Sequence, residues 1–225
     1  MNTLTRFSQD GYVMVSDLMS DAVGLLQENG EVLTETIRGG LRFPERSVPS
    51  LGKLIALPAL HRQLAELGVS DPTPVRSILF DKTPEANWPV LWHQDRTIVV
   101  QEKKDVAGFG PWTRKGGEDH VHPPVAVLES IVTARIHLDP CDERNGALQV
   151  LPGSHRRGVL SPDEIADFRE EEEAVTCCAE SGDVLFMRPL LLHASGKSTR
   201  AGHRRILHLE YATRPLPGGL AFRSS

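Results

Sequence analysis

Disulfide chemistry has little to work with in this chain, because 225 residues hold three cysteines. Cys141, Cys177 and Cys178 are odd in number, two are adjacent, and none has the C-x-x-C spacing of a zinc or redox site. They read as buried or half-buried thiols of a reducing compartment. Long apolar runs are absent too. The longest, around Pro189 to Leu192, falls far short of the roughly 20 residues that cross a bilayer. The opening MNTLTRFSQDGYVMV lacks a basic start followed by an apolar stretch, so no signal peptide is expected and the expected address is the cytoplasm. Positive charge is not in excess. With 25 Lys and Arg against 30 Asp and Glu, the formal net charge is -5. That argues against nucleic acid as the main partner, and still permits a local basic pocket for a small acid.

What is present is ordinary for a folded chain: 40% hydrophobic and 24% charged residues. The length suits one domain, 1–225, that buries roughly 70% of the surface its unfolded chain exposes. Residues 1–70 read as a helical N-terminal portion. Residues 7–16 are expected to form a short strand after a turn. A helical pattern opens at Asp21, with Val23, Leu25, Leu26, Val32, Leu33 and Ile37, and stops at Gly39-Gly40. A second helix is expected over 52–67, with Leu54, Leu57, Leu60, Leu64 and Leu67 as its stripe.

From residue 75 the texture changes to short β-rich runs between turn signals: 75–80, 96–101, 130–139, 147–152, 174–179, 183–188 and 204–212. No helices alternate with them. The expected architecture over 75–213 is therefore mainly β with flanking helices, an antiparallel jelly roll or barrel. One helix interrupts it, opened by Ser161-Pro162-Asp163-Glu164. The segment 102–124, rich in glycine and proline, reads as a long loop that closes over a site as a lid.

The sharpest chemical feature is Trp92-His93-Gln94-Asp95. On a strand, residues i and i+2 share a face, so His93 and Asp95 can reach one ion. His193, after the run DVLFMRPLLL, is the best third ligand. Two histidines and one carboxylate on one side of a metal leave positions open, the pattern of non-haem Fe(II) oxygenases. Arg204 lies eleven residues past His193. A guanidinium fork matches the far carboxylate of a bound 2-oxoglutarate. Ser195 offers a hydroxyl to the same end. The alternation Leu207, Leu209, Tyr211 shares a face with Arg205, however, so periodicity does not choose Arg204 over Arg205. In TARIHLD, Thr133, Arg135 and His137 form a polar face opposite Ala134, Ile136 and Leu138, as expected of a strand lining a cavity. His208 lines the cavity or packs. His120 and His122 read as loop histidines, and Trp88, Trp92 and Trp112 as packing residues.

Five segments in order resemble the phytanoyl-CoA dioxygenase family and its bacterial relatives, which include ectoine hydroxylase. They are F-x-x-D-G-Y near the start, WHQD, NGALQVLPGSHR (145–156), GDVLFMRPLLLHAS (182–195), and the arginine eleven residues after the last histidine. The resemblance runs from about Phe7 to Tyr211. It implies a cupin-like double-stranded β-helix with His93, Asp95 and His193 as iron ligands. It also implies Arg204 on the distal carboxylate of 2-oxoglutarate, helped by Ser195. Arg135 matches a cosubstrate-contacting position and Ile78 a cosubstrate-lining one, while Arg42 is a further candidate that reaches the site from the loop between the two helices. The implied cofactors are Fe(II), 2-oxoglutarate and O2, with ascorbate as a helpful reductant. With Asp95 in place, hydroxylation of a small-molecule substrate is the default outcome. The rival readings are a metal-binding cupin-type enzyme that does not use 2-oxoglutarate, and a binding module without activity.

Overall fold

A computed structural model describes residues 2–28 and 40–223, the side chains of residues 25–28 excepted. The chain begins with α1 (Thr3–Asp10), β1 (Tyr12–Val15), α2 (Ser20–Glu28), β2 (Leu41–Arg42), α3 (Pro49–Ile55) and α4 (Pro58–Glu66). Then come β3 (Thr73–Lys82), β4 (Val90–His93), β5 (Ile98–Val100), β6 (Trp112–Lys115), β7 (Glu118–Val121), α5 (Val125–Glu129) and β8 (Ile131–His137). The last part holds β9 (Leu148–Val150), α6 (Pro162–Glu171), β10 (Val175–Cys177), β11 (Val184–Met187), β12 (His193–Ser195) and β13 (Arg204–Ala212).

The strands form an antiparallel jelly roll. A six-stranded sheet has the order β1-β11-β8-β13-β3-β2, and a four-stranded sheet the order β10-β9-β12-β4. β5, β7 and β6 make a small third sheet. Both faces of the six-stranded sheet are buried. On its outer face Leu79, Ala134, Ile136, Leu207, Leu209 and Tyr211 pack against Phe7, Leu51, Leu54, Leu60 and Leu64 of the helices. Tyr211 also donates its hydroxyl proton to the Ile55 carbonyl at 3.0 Å. Between the two sheets, Leu148 and Val150 of β9 meet Leu185 and Met187 of β11. Each such side chain removed from water contributes roughly 1.5–3 kcal/mol, so two apolar layers hold the six-stranded sheet in place.

Several elements differ from expectation, each for a local reason. Residues 7–10 belong to α1, whose Asn2 cap accepts from Thr5 N and whose end is fixed by Gly11 at φ 81°. The strand begins only at Tyr12. The expected helix over 52–67 is two helices, because Pro58 lacks the N–H that would continue the first and starts the second instead. Val32, Leu33 and Ile37 lie outside the described residues. The segment 102–124 is not a loop throughout. Trp112 to Val121 form a hairpin around Gly116-Gly117, both at positive φ as a two-residue turn requires. β7 pairs on its other side with β5, and Val121 is buried. The capped helix at Ser161 stands as expected, with both bonds of its capping box.

Leu207→Ala should remove about 2–5 kcal/mol of stability in urea unfolding, the cost of a cavity at a closely packed site. A loss below about 1 kcal/mol would mean the helices do not seal this face of the sheet.

Candidate active site

β4 and β12 lie side by side, with His193 directly opposite His93. The cross-strand pair brings the two rings to 4.2 Å between centroids. Asp95 follows just past the end of β4, and its backbone N–H donates to the Pro189 carbonyl at 2.8 Å. Its carboxylate oxygens lie 3.7 Å from His93 Nε2 and 3.7 Å from His193 Nε2. The three ligand atoms fall within one ion's reach. Each imidazole is oriented by the backbone two residues before it. His93 Nδ1 donates to the Leu91 carbonyl at 2.8 Å, and His193 Nδ1 to the Leu191 carbonyl at 2.9 Å. A carbonyl only accepts, so Nδ1 carries the proton and Nε2 turns its lone pair inward. Burial, the first influence on both Asp95 and His193, acts oppositely on them. It lowers His193 below the ordinary histidine value. In Asp95 burial alone would raise the value, but His193, His208, His93 and Arg76 outweigh it and hold the carboxyl below its usual range. An ionised carboxylate and a neutral imidazole are the forms a divalent cation takes as ligands.

Gln94, between the two candidate ligands, points the other way and is buried. Its amide donates to the Gly158 and Leu190 carbonyls, both at 2.8 Å, and accepts from Leu160 N at 2.9 Å. The side chain thereby ties the segment holding Asp95 to two neighbouring loops.

One cavity joins this cluster to a set of buried cations. Lys82, Arg135 and Arg204 line it together with His93, Asp95, His193 and Ser195. Phe80, Trp88, Val90 and Leu148 supply apolar wall. Arg204 is 3% exposed, yet its Nε and Nη1 have no hydrogen-bond partner, and Arg135 Nε has none either. The thiol of Cys141 stands beside Arg204. Lys82 donates to Ser195 Oγ at 2.7 Å, and Ser195 donates in turn to the Gly146 carbonyl at 2.8 Å. A guanidinium buried with open donors is costly unless an anion meets it. The cavity therefore suits a small dicarboxylate, one end at the three ligands and the other at Arg204. Arg205 is already spent: its Nε and Nη2 hold Asp139 at 2.7 and 2.6 Å.

The family profile described as Phytanoyl-CoA dioxygenase (PhyH) matches residues 7–206. The chain belongs to the phytanoyl-CoA dioxygenase family. That family is named for a dioxygenase, the enzyme class the sequence leads one to expect. The peroxisomal phytanoyl-CoA dioxygenase of Bos taurus is 32% identical over 103 residues, 40% of this chain and 30% of that protein. Its Homo sapiens counterpart is 31% identical over 104 residues, with the same coverage. The matched stretch thus spans under a third of these relatives' length. Among solved structures, EctD from S. alaskensis superposes with a TM-score of 0.71 at 19% identity, covering all of this chain and 87% of that one. The epimerase SnoN from nogalamycin biosynthesis gives 0.69 at 20% identity, covering 96% and 86%. Both share the jelly-roll fold with this family member.

The expected site residues fall into two groups in this member of the family. His93, Asp95, His193, Ser195, Arg135 and Arg204 share one cavity. Ile78 and Arg42 do not line it. On β3 the cavity residues are Phe80 and Lys82, further along the same face, while Ile78 pairs with Arg42 of β2. His208 lines the cavity too. Its Nδ1 accepts from Arg135 Nη1 at 3.0 Å, so its proton sits on Nε2, 3.4 Å from Glu210 Oε1. That occupation argues against Asp95, His208 and Glu210 as the ligand set, although their ligand atoms also cluster. Lys82 and Trp88 are functional candidates the sequence reading missed. His120, read as a loop histidine, is buried on β7.

Gln94→Ala should leave three buried backbone groups without partners, costing on the order of 1–3 kcal/mol in chemical denaturation. It should also weaken Fe(II) binding roughly 10–100-fold, as loss of a supporting partner around a metal site does. Unchanged metal affinity would show that Gln94 holds the loops but not Asp95.

Proposed function

We propose that this chain is an Fe(II)- and 2-oxoglutarate-dependent dioxygenase that hydroxylates a C–H bond of a small molecule, releasing succinate and CO2. The observation that carries the reading is one cavity that holds both an open two-histidine, one-carboxylate set and a buried arginine with unused donors. His93, Asp95 and His193 are the residues that would hold the iron. Arg204 would take the far carboxylate of 2-oxoglutarate, with Ser195 and Lys82 beside it and Arg135 further along the same wall. Bound iron supplies the redox chemistry, coupling reduction of O2 to decarboxylation of 2-oxoglutarate and oxidation of the substrate.

The protein's part is placement. Asp95 stays ionised and His193 neutral, so neither must lose a proton when a cation arrives. The cross-strand pairing puts His93 and His193 side by side, so with Asp95 they would hold the ion from one wall of the cavity. Arg204 sits on β13, whose ladder to β3 and β8 runs nearly its whole length, so its guanidinium is held on a rigid element. Phe80, Trp88, Val90 and Leu148 give the space between an apolar wall. Lys82 presents its remaining ammonium proton without backbone rearrangement, because Ser195 Oγ and the Gly196 carbonyl hold it in place, and Ser195, whose own proton goes to the Gly146 carbonyl, would turn that proton to an arriving carboxylate by rotating its hydroxyl.

Arg204→Ala should weaken 2-oxoglutarate binding by about 30-fold to several-thousand-fold, the effect of removing one partner from a buried charge pair. Arg205→Ala should leave that affinity close to wild type. The reverse pattern, measured by calorimetric titration of the Fe(II) protein, would overturn the assignment. A metal enzyme that makes no use of 2-oxoglutarate would lose nothing in either variant.

Lys82 gives the cavity a pH dependence. Burial first, then the charges of Arg204 and Arg135, bring it down to about 7. Its ammonium is therefore gained as pH falls through neutrality. Affinity for the dicarboxylate should rise several-fold as pH drops from about 8.5 to about 6.5, since a dianion favours the charged lysine. Lys82→Met should flatten that profile. An equally steep profile in the variant would place the titrating group elsewhere.

A further inference from the structure

The polar lining of the barrel continues past Asp95. β3 and β13 pair antiparallel from Arg204 opposite Lys82 to Glu210 opposite Arg76. Six residues of strand separate these pairs, about 20 Å. At the far end Arg76 Nη1 binds Glu210 Oε1 at 3.0 Å. Glu210 offers its carboxylate within reach of the Asp95 carboxylate. This end therefore lies beside the candidate iron ligands, on the side away from Arg204.

Arg42 enters the same end from β2. Its neighbour Leu41 packs into the helix-facing core, so strand alternation turns Arg42 toward the barrel. Arg42 pairs with Ile78, two residues from Arg76 on the same face of β3. Two guanidiniums are thus neighbours, and burial together with the charge of Arg76 pulls Arg42 below its ordinary value. Glu210 answers Arg76. Among the described residues no carboxylate pairs with Arg42, and its Nε is buried without a hydrogen-bond partner. His120 of β7 closes the recess. It is 1% exposed, its Nε2 has no partner, and the charges acting on it include Arg76, Arg42 and Glu210. The recess therefore holds a guanidinium that no neighbouring acid hydrogen-bonds and two unused nitrogens, Arg42 Nε and His120 Nε2.

We propose that this recess binds an anionic group of the molecule to be oxidised, a carboxylate or a phosphate, with Arg42 as its main partner and His120 as a second contact. Arg42 is then a substrate residue and not a 2-oxoglutarate residue. The dicarboxylate takes the Arg204 end, and the two anions lie on opposite sides of the iron ligands. The substrate class is a small organic acid or phosphate ester. Its oxidised carbon lies between its anion and the metal.

The inference rests on the dioxygenase reading, and the test separates the two. The protein is loaded anaerobically with Fe(II) and saturating 2-oxoglutarate, and loading is followed by the visible absorption band of the complex. Hexanoate, hexyl phosphate and hexanamide are then titrated in, and metal-induced broadening of each probe's proton resonances is recorded by NMR. At least one acid should bind about tenfold or more tightly than the amide, and be broadened by the metal. Arg42→Gln should erase that preference, and Arg42→Lys should keep part of it. Acids that bind no better than the amide, or a preference that survives in Arg42→Gln, would overturn the proposal. Failure of 2-oxoglutarate to give the band in the wild-type protein would overturn the dioxygenase reading beneath it.

Discussion

A strand has two faces, and β13 must bury both. Only Arg205 along it is not fully buried. Leu207, Leu209 and Tyr211 meet the helices, so Arg204, His208 and Glu210 have nowhere to go but the barrel interior. The same division runs through β8, where Ala134 and Ile136 face the helices and Arg135 faces inward. It runs through β3, where Leu79 goes outward and Phe80 and Lys82 differ in position but share the cavity. The apolar contacts of the outer face thus hold charged groups in a place they would not choose alone. Burying a cation without its partner costs several kcal/mol, and the helical layer offsets that cost. Stability made on one side of a sheet is what permits an anion-hungry cavity on the other.

That division also explains what the sequence disclosed. His93 and Asp95 were legible because they stand two apart at a strand's end, where Gln94 between them still turns the other way, and the rest of WHQD needed no distant information. His193 was harder, since its pairing with His93 joins residues a hundred positions apart; its place after a β-rich run and a short turn made it the best candidate, and the resemblance to known segments supported that choice. The choice between Arg204 and Arg205 went against the apolar pattern for a physical reason. Hydrophobic alternation marks a buried face, and in this sheet the more apolar buried face is the one under the helices. Arg205 lies at the edge of that face and is held by Asp139, while the polar alternation marks the cavity.

Other features were written in the chain and passed over. The alternation Arg76, Ile78, Phe80, Lys82 runs two residues beyond the expected end of its strand, and the last of them is the lysine beside Ser195. Gly116-Gly117 between Trp-Thr-Arg-Lys and Glu-Asp-His-Val is a hairpin signal inside what reads as loop composition. Pro58 divides a leucine stripe that otherwise fits one helix. Trp88 is different. It stands alone in a short irregular connection, and no periodic pattern or local chemistry marks it as part of a cavity wall. A residue placed by tertiary packing alone leaves no trace in its neighbours.

Along β3 and β13 runs a line of charge, with open cations at one end, candidate iron ligands in the middle, and the Arg42, Arg76 and Glu210 recess at the other. His208 links them, accepting from Arg135 and facing Glu210. The claim at its centre is that the three ligands and Arg204 serve one reaction. Succinate formed per 2-oxoglutarate consumed, followed with and without Fe(II) in the presence of ascorbate and O2, tests it most directly. The account predicts equimolar succinate that requires iron and disappears in His193→Ala. Stoichiometric iron binding with 2-oxoglutarate left intact, or succinate formation that persists without His193, would contradict it.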